Sequence, residues 1–351
     1  MTPVATAASG VTLTPESAPG EAEWDRTGRP NRHVVVRLLA NPGLLVGLVV
    51  LAGYAGVALV ALLHFGSNLG NVPFASELAR PTNPAAPSPS HPFGVIWIVY
   101  VTPAGHISWY GFDLFDAVLR ATPIDVALLG GTIAGALLIG LVLGTAAGYG
   151  SRGLEISIVN AAYILVGVPP FFLVLIIFTG LGAFVNPDQL LPVLGIAFAA
   201  VLWPYYAIPV RARARQVATE PFVEAARAGG ASRRRILVRH ILPNSFSPVL
   251  AQVPIDVYNI LFVLTVFPFL TCLNPYFFGT ITILPNFPFP YPEWGYLLAN
   301  GACNSNSDIL LNYGYWWMYT FPALAILGLG IGVALVCDGM ATFVRGARVE
   351  R

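Results

Sequence analysis

The sequence predicts an all-α membrane bundle of six spans with extended extracellular loops, and three observations predict it. Of the 351 residues 56% are hydrophobic and only 10% charged, a balance that a soluble domain of this length does not carry. Charge-poor runs of spanning length recur at about 44–63, 126–148, 156–184, 189–209, 249–271 and 317–337. Each holds roughly the 20 apolar residues needed to cross about 30 Å of hydrocarbon. The 18 basic residues are all arginine, and their distribution orients the chain. With the N-terminus inside, Arg26, Arg29, Arg32, Arg37, Arg152, the eight arginines between 211 and 239, and Arg345, Arg348 and Arg351 are cytoplasmic. Only Arg80 and Arg120 then fall outside. The positive-inside rule therefore places both termini in the cytoplasm.

Residues 1–23 are small and polar, without the basic start or apolar core of a signal peptide, and are expected as a disordered cytoplasmic tail. Residues 24–43 interleave Val34, Val35, Val36, Leu38 and Leu39 with Arg32 and Arg37, as an interfacial elbow helix does when its arginines snorkel to headgroups. The first span, 44–63, follows. An extracellular insertion, 64–122, has a proline-rich middle at 81–92 that excludes helix and central strand. Beyond it, Val95–Val101 is apolar and β-branched and reads as a small strand. Residues 111–120 read as a short amphipathic helix with Phe112, Phe115, Val118 and Leu119 on one side.

The core, 123–345, carries the other five spans. In the second, Gly140, Gly144 and Gly148 are spaced four apart, a small-residue face that lets helix backbones approach in lipid. Pro169-Pro170 should kink or break the third span in mid-membrane, and Pro204, Pro209, Pro254 and Pro268 should bend the fourth and fifth. The loop 273–316 has no basic residue and is dense in Pro, Phe, Tyr and Asn. It is expected as a folded extracellular cap with Trp294 and Trp316-Trp317 at the interface. Residues 346–351 form the cytoplasmic C-terminus.

Between the fourth and fifth spans, in the loop 210–247, stands Glu224-Ala225-Ala226-Arg227-Ala228-Gly229-Gly230, followed after ten more residues by Ile241-Leu242-Pro243. Residues 219–229 read as an amphipathic helix capped by Thr219, with Pro221 in its first turn and Glu220 favoured by the helix dipole. Gly229-Gly230 should end it in a sharp turn. Ser232 should cap a second helix running from Arg233 through Arg239, after which Pro243 and Asn244 lead back to the membrane. Two short helices at an angle, with Ala225, Ala226 and Ala228 on the exposed ridge, suit a groove on a partner, where Glu224 offers a carboxylate. Arg233, Arg234 and Arg235 alone would read as a basic loop held by anionic lipid. The full spacing from Glu224 to Pro243 argues for a protein partner instead.

That spacing resembles the coupling loop of ABC importer permeases, and residues 222–244 resemble the C-type inner-membrane subunit of the dipeptide/oligopeptide/nickel branch of the binding-protein-dependent permeases. Other segments carry the same likeness: His91-Pro92-Phe93-Gly94, Leu143-Gly144-Thr145-Ala146-Ala147-Gly148-Tyr149, Pro292-Glu293-Trp294-Gly295-Tyr296-Leu297-Leu298-Ala299, and Trp316-Trp317 with Phe321-Pro322 and Asp338-Gly339. The chain departs from the pattern after Gly94, at Leu264 where an acidic residue is common, and from Phe267 to Cys272. These departures sit on the outer side, so they bear on docking of the binding protein or on substrate selection. The resemblance implies the six-helix transmembrane domain of a type I ABC importer, with Glu224, Ala225, Ala226, Gly229, Gly230, Arg233, Ile241, Leu242 and Pro243 coupling it to ATPases. It also implies the partners: a homologous permease subunit, two ABC ATPase subunits and an extracellular solute-binding protein, all at the inner (cytoplasmic) membrane. The implied cargo is di- or oligopeptides, with oligosaccharides as the alternative.

No G-x-x-x-x-G-K-[ST] loop is present, so ATP and Mg would be held by the partner ATPases and no cofactor by this chain. The five histidines lack ligand spacing, which argues against a metal site. No nucleophile–base constellation points to an enzyme, and no nucleic-acid partner is expected. A secondary transporter would carry membrane-embedded charge pairs and inverted repeats. Asp256 stands alone in the fifth span, where a carboxylate either lines the translocation pathway or hydrogen-bonds a neighbouring helix. Asp125, at the start of the second span, reads as interfacial. Cys272 and Cys303 both fall outside and either form a disulfide there or remain free thiols, while Cys337 lies at the inner end of the sixth span.

Overall fold

A computed structural model describes residues 41–66, 86–101, 107–182, 184–185, 189–273, 293–303 and 315–349. The expected tail 1–23, most of the elbow and most of the loop 273–316 lie outside the described residues.

Asn41-Pro42 begins the first helix, α1 (Pro42–Phe65), for two local reasons. The Asn41 side chain accepts from the Leu44 N–H at 3.2 Å, and Pro42 loses nothing at a position whose N–H has no intrahelical partner. Two strands follow, β1 (Val95–Val101) and β2 (Ile107–Asp113), paired antiparallel with Val95 opposite Asp113 and Val101 opposite Ile107. The strand expected at Val95–Val101 is thus present. The helix expected over 111–120 is not: its first residues complete β2, and the rest open α2 (Leu114–Tyr149). Asp113 sets the boundary by accepting from Phe115 N at 2.8 Å and Asp116 N at 3.2 Å.

At 36 residues α2 is about 54 Å long at 1.5 Å per residue, which carries it well beyond the hydrocarbon. Gly140, Gly144 and Gly148 lie against α5 (Leu190–Ala218). A Cβ on Gly140 would stand 2.7 Å from Trp203 O, one on Gly144 2.6 Å from Ala207 O, and one on Gly148 2.8 Å from Arg211 O. The two backbones are therefore in direct contact along three turns, the packing that small residues at four-residue spacing permit.

The third apolar run divides into α3 (Arg152–Val166) and α4 (Pro170–Gly182), bent by 92° at Gly167–Pro169. Pro169 and Pro170 supply no backbone donors, so the helix stops there and restarts in a new direction. By contrast α5 continues through Pro204 and Pro209. The chain then forms α6 (Pro221–Ala228), α7 (Arg233–Ile236), a π-turn at Leu237–Ile241, α8 (Leu242–Asn244), α9 (Val249–Leu273), α10 (Trp294–Cys303) and α11 (Trp317–Val349). Among the described residues five helices are long and apolar enough to cross a membrane, or six if the bent pair crosses once.

The main core lies where α5 meets α9 and α4, with Leu194, Phe198, Val201, Leu202 and Tyr206 against Val257, Ile260, Leu264, Phe267, Val174 and Phe178. The outward residues are apolar as well: Val49 is 71% exposed, Leu63 77% and Ile164 72%, a surface suited to lipid and costly in water.

Candidate functional site

The loop between α5 and α9 stands on its own small core. Val223 of α6, Ile236 of α7 and Ile241 of the π-turn are buried against Ala214 and Val217 of α5, with Tyr149 from the end of α2 alongside. Burial of these side chains ties the loop to two membrane helices. Pro221 is the first residue of α6 and Glu220 its N-cap. Thr219, expected as the cap, instead ends α5 and donates its hydroxyl to Gln216 O at 2.8 Å. The correction follows from α5 running to Ala218, more than two turns beyond the apolar run that ended at 209.

The end of α6 is a complete Schellman turn. Ala231 N donates to Ala226 O and Gly230 N to Arg227 O, both at 3.0 Å, and Gly230 has φ +76°. Gly229, with φ −74°, remains on the right-handed side. Of the two glycines only Gly230 occupies the region that other residues avoid. Ser232 then caps α7 as expected, accepting from Arg235 N at 3.4 Å. Arg233 sits 5.6 Å above the Tyr149 ring and donates to Tyr149 O at 3.5 Å.

Further on, Pro243 has no N–H and its ring crowds the carbonyl four residues back. The helix widens just before it: Leu242 N donates to Leu237 O, five residues away, in a π-turn. Asn244 Nδ2 donates to His240 O at 2.6 Å and Ser245 Oγ to Ile241 O at 2.8 Å, which satisfies carbonyls at this end. Ile241-Leu242-Pro243 thus places Ile241 in the small core and Pro243 on the surface.

Glu224, Ala225 and Ala228 are exposed on α6, while Ala226 is half-buried against the core. The Glu224 side chain makes no hydrogen bond or ion pair among the described residues, while its backbone N–H donates to Glu220 O at 3.3 Å. The site is a ridge of small side chains and one open carboxylate, with arginines 233–235 exposed on the next helix.

One contributor has no motif around it. Glu155, in the first turn of α3, accepts from Arg211 Nε at 2.9 Å and also from Arg211 Nη2 and Arg215 Nη2. Its only sequence signal is an acidic residue at a helix start on the arginine-rich side of the bundle.

Asp256 is 0% exposed, inside the subunit between α9 and α5. Its Oδ1 accepts from Gln252 Nε2 at 2.8 Å. The Tyr206 hydroxyl lies beside its Oδ2, yet neither atom completes a hydrogen bond in this geometry. Asp125, read as interfacial, is also fully buried, and its Oδ2 accepts from Trp294 N at 2.9 Å. The side chains of Cys272 and Cys303 lie outside those described, and Cys337 is a buried free thiol. Among the described residues no group of three or more His, Cys, Asp or Glu could hold a metal.

The described helices thus form a bundle with five or six segments able to cross a membrane and a two-helix loop on a core of its own. Residues 137–345 match the family of binding-protein-dependent transport system inner membrane components, and the chain belongs to that family. It is thus a transport subunit rather than an enzyme, with the transmembrane fold of a type I ABC importer. The dipeptide transport system permease protein DppC of Alkalihalophilus pseudofirmus is 25% identical over 94% of both chains. The probable D,D-dipeptide transport system permease protein DdpC of Escherichia coli is 28% identical over 68% of this chain and 73% of its own. The di/tripeptide transport system permease protein DppC of Pseudomonas aeruginosa is 24% identical over 66% and 67%.

Proposed function

We propose that this chain forms half of the pathway of an ATP-driven importer of di- or oligopeptides. The other half is a homologous permease, with two ABC ATPases beneath and a solute-binding protein outside. The observation that carries the coupling role is the ridge of α6, rigidly turned at Gly230 and cored onto α5 and α2 through Val223, Ile236 and Ile241. A groove on an ATPase that takes Ala225, Ala228 and Glu224 can push on those two membrane helices through close-packed side chains. The peptide cargo is supported by the names of the relatives. The arginine distribution supports cytoplasmic termini, which puts the ridge on the side where ATP is available.

The cycle follows from differential affinity. ATP binds the closed ATPase pair better than the open one, and closure draws the α6–α7 loops together and opens the bundle outward. Asp256, buried within the subunit, is the one carboxylate of α9 and a residue of this span that would line the pathway. The test is uptake of a labelled dipeptide by proteoliposomes holding the assembled transporter, with ATP inside. Uptake by wild type and its loss on Glu224→Arg, with membrane insertion intact, is the expected outcome. Unchanged uptake in that variant would remove the coupling role; ATP-stimulated uptake of an oligosaccharide but no peptide would replace the cargo.

A further inference from the structure

The third span is interrupted between α3 and α4, and the interruption lies open. Gly167 N donates back to Tyr163 O at 3.0 Å, Val168 N to Leu165 O at 3.3 Å, and Phe172 N to Pro169 O at 3.1 Å. Pro169 and Pro170 have no N–H to give to α3. Among the described residues no donor reaches the carbonyls of Val166, Gly167 or Val168. Gly167, Val168 and Pro169 are all exposed. The break is also deep: the Phe171 ring, just beyond it, meets Phe262 at 6.4 Å and Phe267 at 5.5 Å. Phe262 stands about 20 Å along α9, whose 25 residues span about 37 Å.

α9 continues this surface. Ile255, Tyr258 and Phe262, spaced three and four apart, form one exposed face, with Tyr258 67% exposed. The Tyr258 and Phe262 rings stack at 6.1 Å, and Phe171 meets Phe172 edge-on at 5.3 Å, so aromatic contact runs unbroken from Tyr258 to the break. Lipid suits neither part. Irregular backbone at membrane depth persists only where protein buries it or where it lines a water-filled cavity, and tyrosines that face lipid gather at the two interfaces. On α1 the exposed side chains are aliphatic, as at Val49, Val60 and Leu63, and Tyr54 gives its hydroxyl to Ala325 O at 2.7 Å. The Tyr258 hydroxyl, about 14 Å into α9, bonds to no group among the described residues. Asp256 lies on the buried side of the helix and is not part of this surface.

We propose that the α3–α4 break and the Tyr258–Phe262 stack form a contact site for the peptide in transit. The site rests on the peptide-importer reading and deepens it. The break offers acceptors and, having two prolines, few donors, so it selects a ligand rich in N–H groups: the amino terminus and amides of an extended peptide. Apolar side chains of that peptide lie on Tyr258, Phe262 and Phe172, and the phenol hydroxyl takes a remaining peptide carbonyl. The test uses the assembled transporter in proteoliposomes with ATP inside and tritiated phenylalanyl-alanine outside. Tyr258, Phe172 and, on the aliphatic face of α1, Leu63 are each replaced in turn by p-benzoylphenylalanine and illuminated during uptake. Tritium should attach at positions 258 and 172, be displaced by excess unlabelled dipeptide, and be absent at 63. Phe262→Leu keeps an apolar side chain without the ring and should lower uptake about two- to tenfold with ATP hydrolysis retained. Uptake by wild type with no capture at 258 or 172, capture of the second permease or of lipid there instead, or unchanged uptake by Phe262→Leu would overturn the site and leave the importer reading standing. Capture and uptake of a tritiated oligosaccharide but not of the dipeptide would overturn the site's peptide class together with that reading.

Discussion

Glu155 and Arg211, 56 residues apart, are joined by an Nε–Oε1 hydrogen bond of 2.9 Å, and Arg215 closes on the same oxygen one turn further along α5. The pair fixes the first limb of the bent α3–α4 segment to the last turns of α5, and α5 runs directly into α6. Any displacement of the ridge therefore reaches α3 as well as α5. Glu155→Gln removes the charge and leaves the size, so the subunit should assemble while α3 no longer follows α5. The expected result is retained ATP hydrolysis with reduced uptake, measured as transported substrate per ATP in proteoliposomes. The exchanged pair Glu155→Arg with Arg211→Glu should recover part of the lost ratio, whereas Arg211→Glu alone should not.

The two glycines that end α6 should differ sharply on substitution by alanine. A Cβ on Gly230 would meet nothing within 4 Å, but φ +76° makes the conformation itself the obstacle. Gly230→Ala should cost the turn about 1–2 kcal/mol, roughly a 5–30-fold rise in local opening. Gly229 has ordinary φ and only a 3.4 Å contact to Ala225 O, so Gly229→Ala should be close to neutral. Amide exchange at Gly230 and Ala231, whose N–H groups close the Schellman turn, reads the difference directly.

The glycine face of α2 offers a steric comparison within one helix. At Gly144 a Cβ would stand 2.6 Å from Ala207 O and 2.9 Å from Val210 Cβ, whereas at Gly131 it would meet nothing. Gly144→Ala forces α2 and α5 apart and should destabilise by about 1–3 kcal/mol, the usual range for overpacking. Gly131→Ala should not destabilise, because alanine is also the better helix former. Thermal unfolding of the two variants in the same detergent checks both, and a Gly144→Ala protein as stable as Gly131→Ala would disprove the contact.

The features legible in the sequence were those whose cause is local. Gly140, Gly144 and Gly148 share a helical face whatever they pack against, Pro169-Pro170 breaks any helix, and Ser232 caps from three residues away. What escaped depends on distant partners. The 107–113 segment becomes a strand because β1 pairs with it, although Phe112 and Phe115 fit a helical stripe equally well. Asp125 reads as interfacial until Trp294, 169 residues later, buries it. Asp256 is an anomaly in a hydrophobic run, and only the fold shows that it faces into the bundle. Glu155 carries no motif because its meaning lies in Arg211 and Arg215.

Asp113 holds two structures at once. Its Oδ1 accepts from Phe115 N at 2.8 Å and Asp116 N at 3.2 Å at the start of α2, and its Oδ2 accepts from His91 Nδ1–H at 2.6 Å. His91 belongs to the turn that enters β1, where its own N–H and carbonyl are bonded to Ser88. One carboxylate thus caps the longest helix and secures the turn beside it. Asp113→Ala should lose both functions and destabilise by about 1 kcal/mol or more, the typical cost of an N-cap removed. Asp113→Asn keeps an oxygen for the cap and loses the charge, so it should fall between wild type and Asp113→Ala. His91→Ala should loosen the hairpin and spare the cap, which amide exchange at Phe115 and Asp116 resolves: protected in His91→Ala, exposed in Asp113→Ala. Equal exchange at those two amides in both variants would show that the cap and the turn are a single unit that fails together.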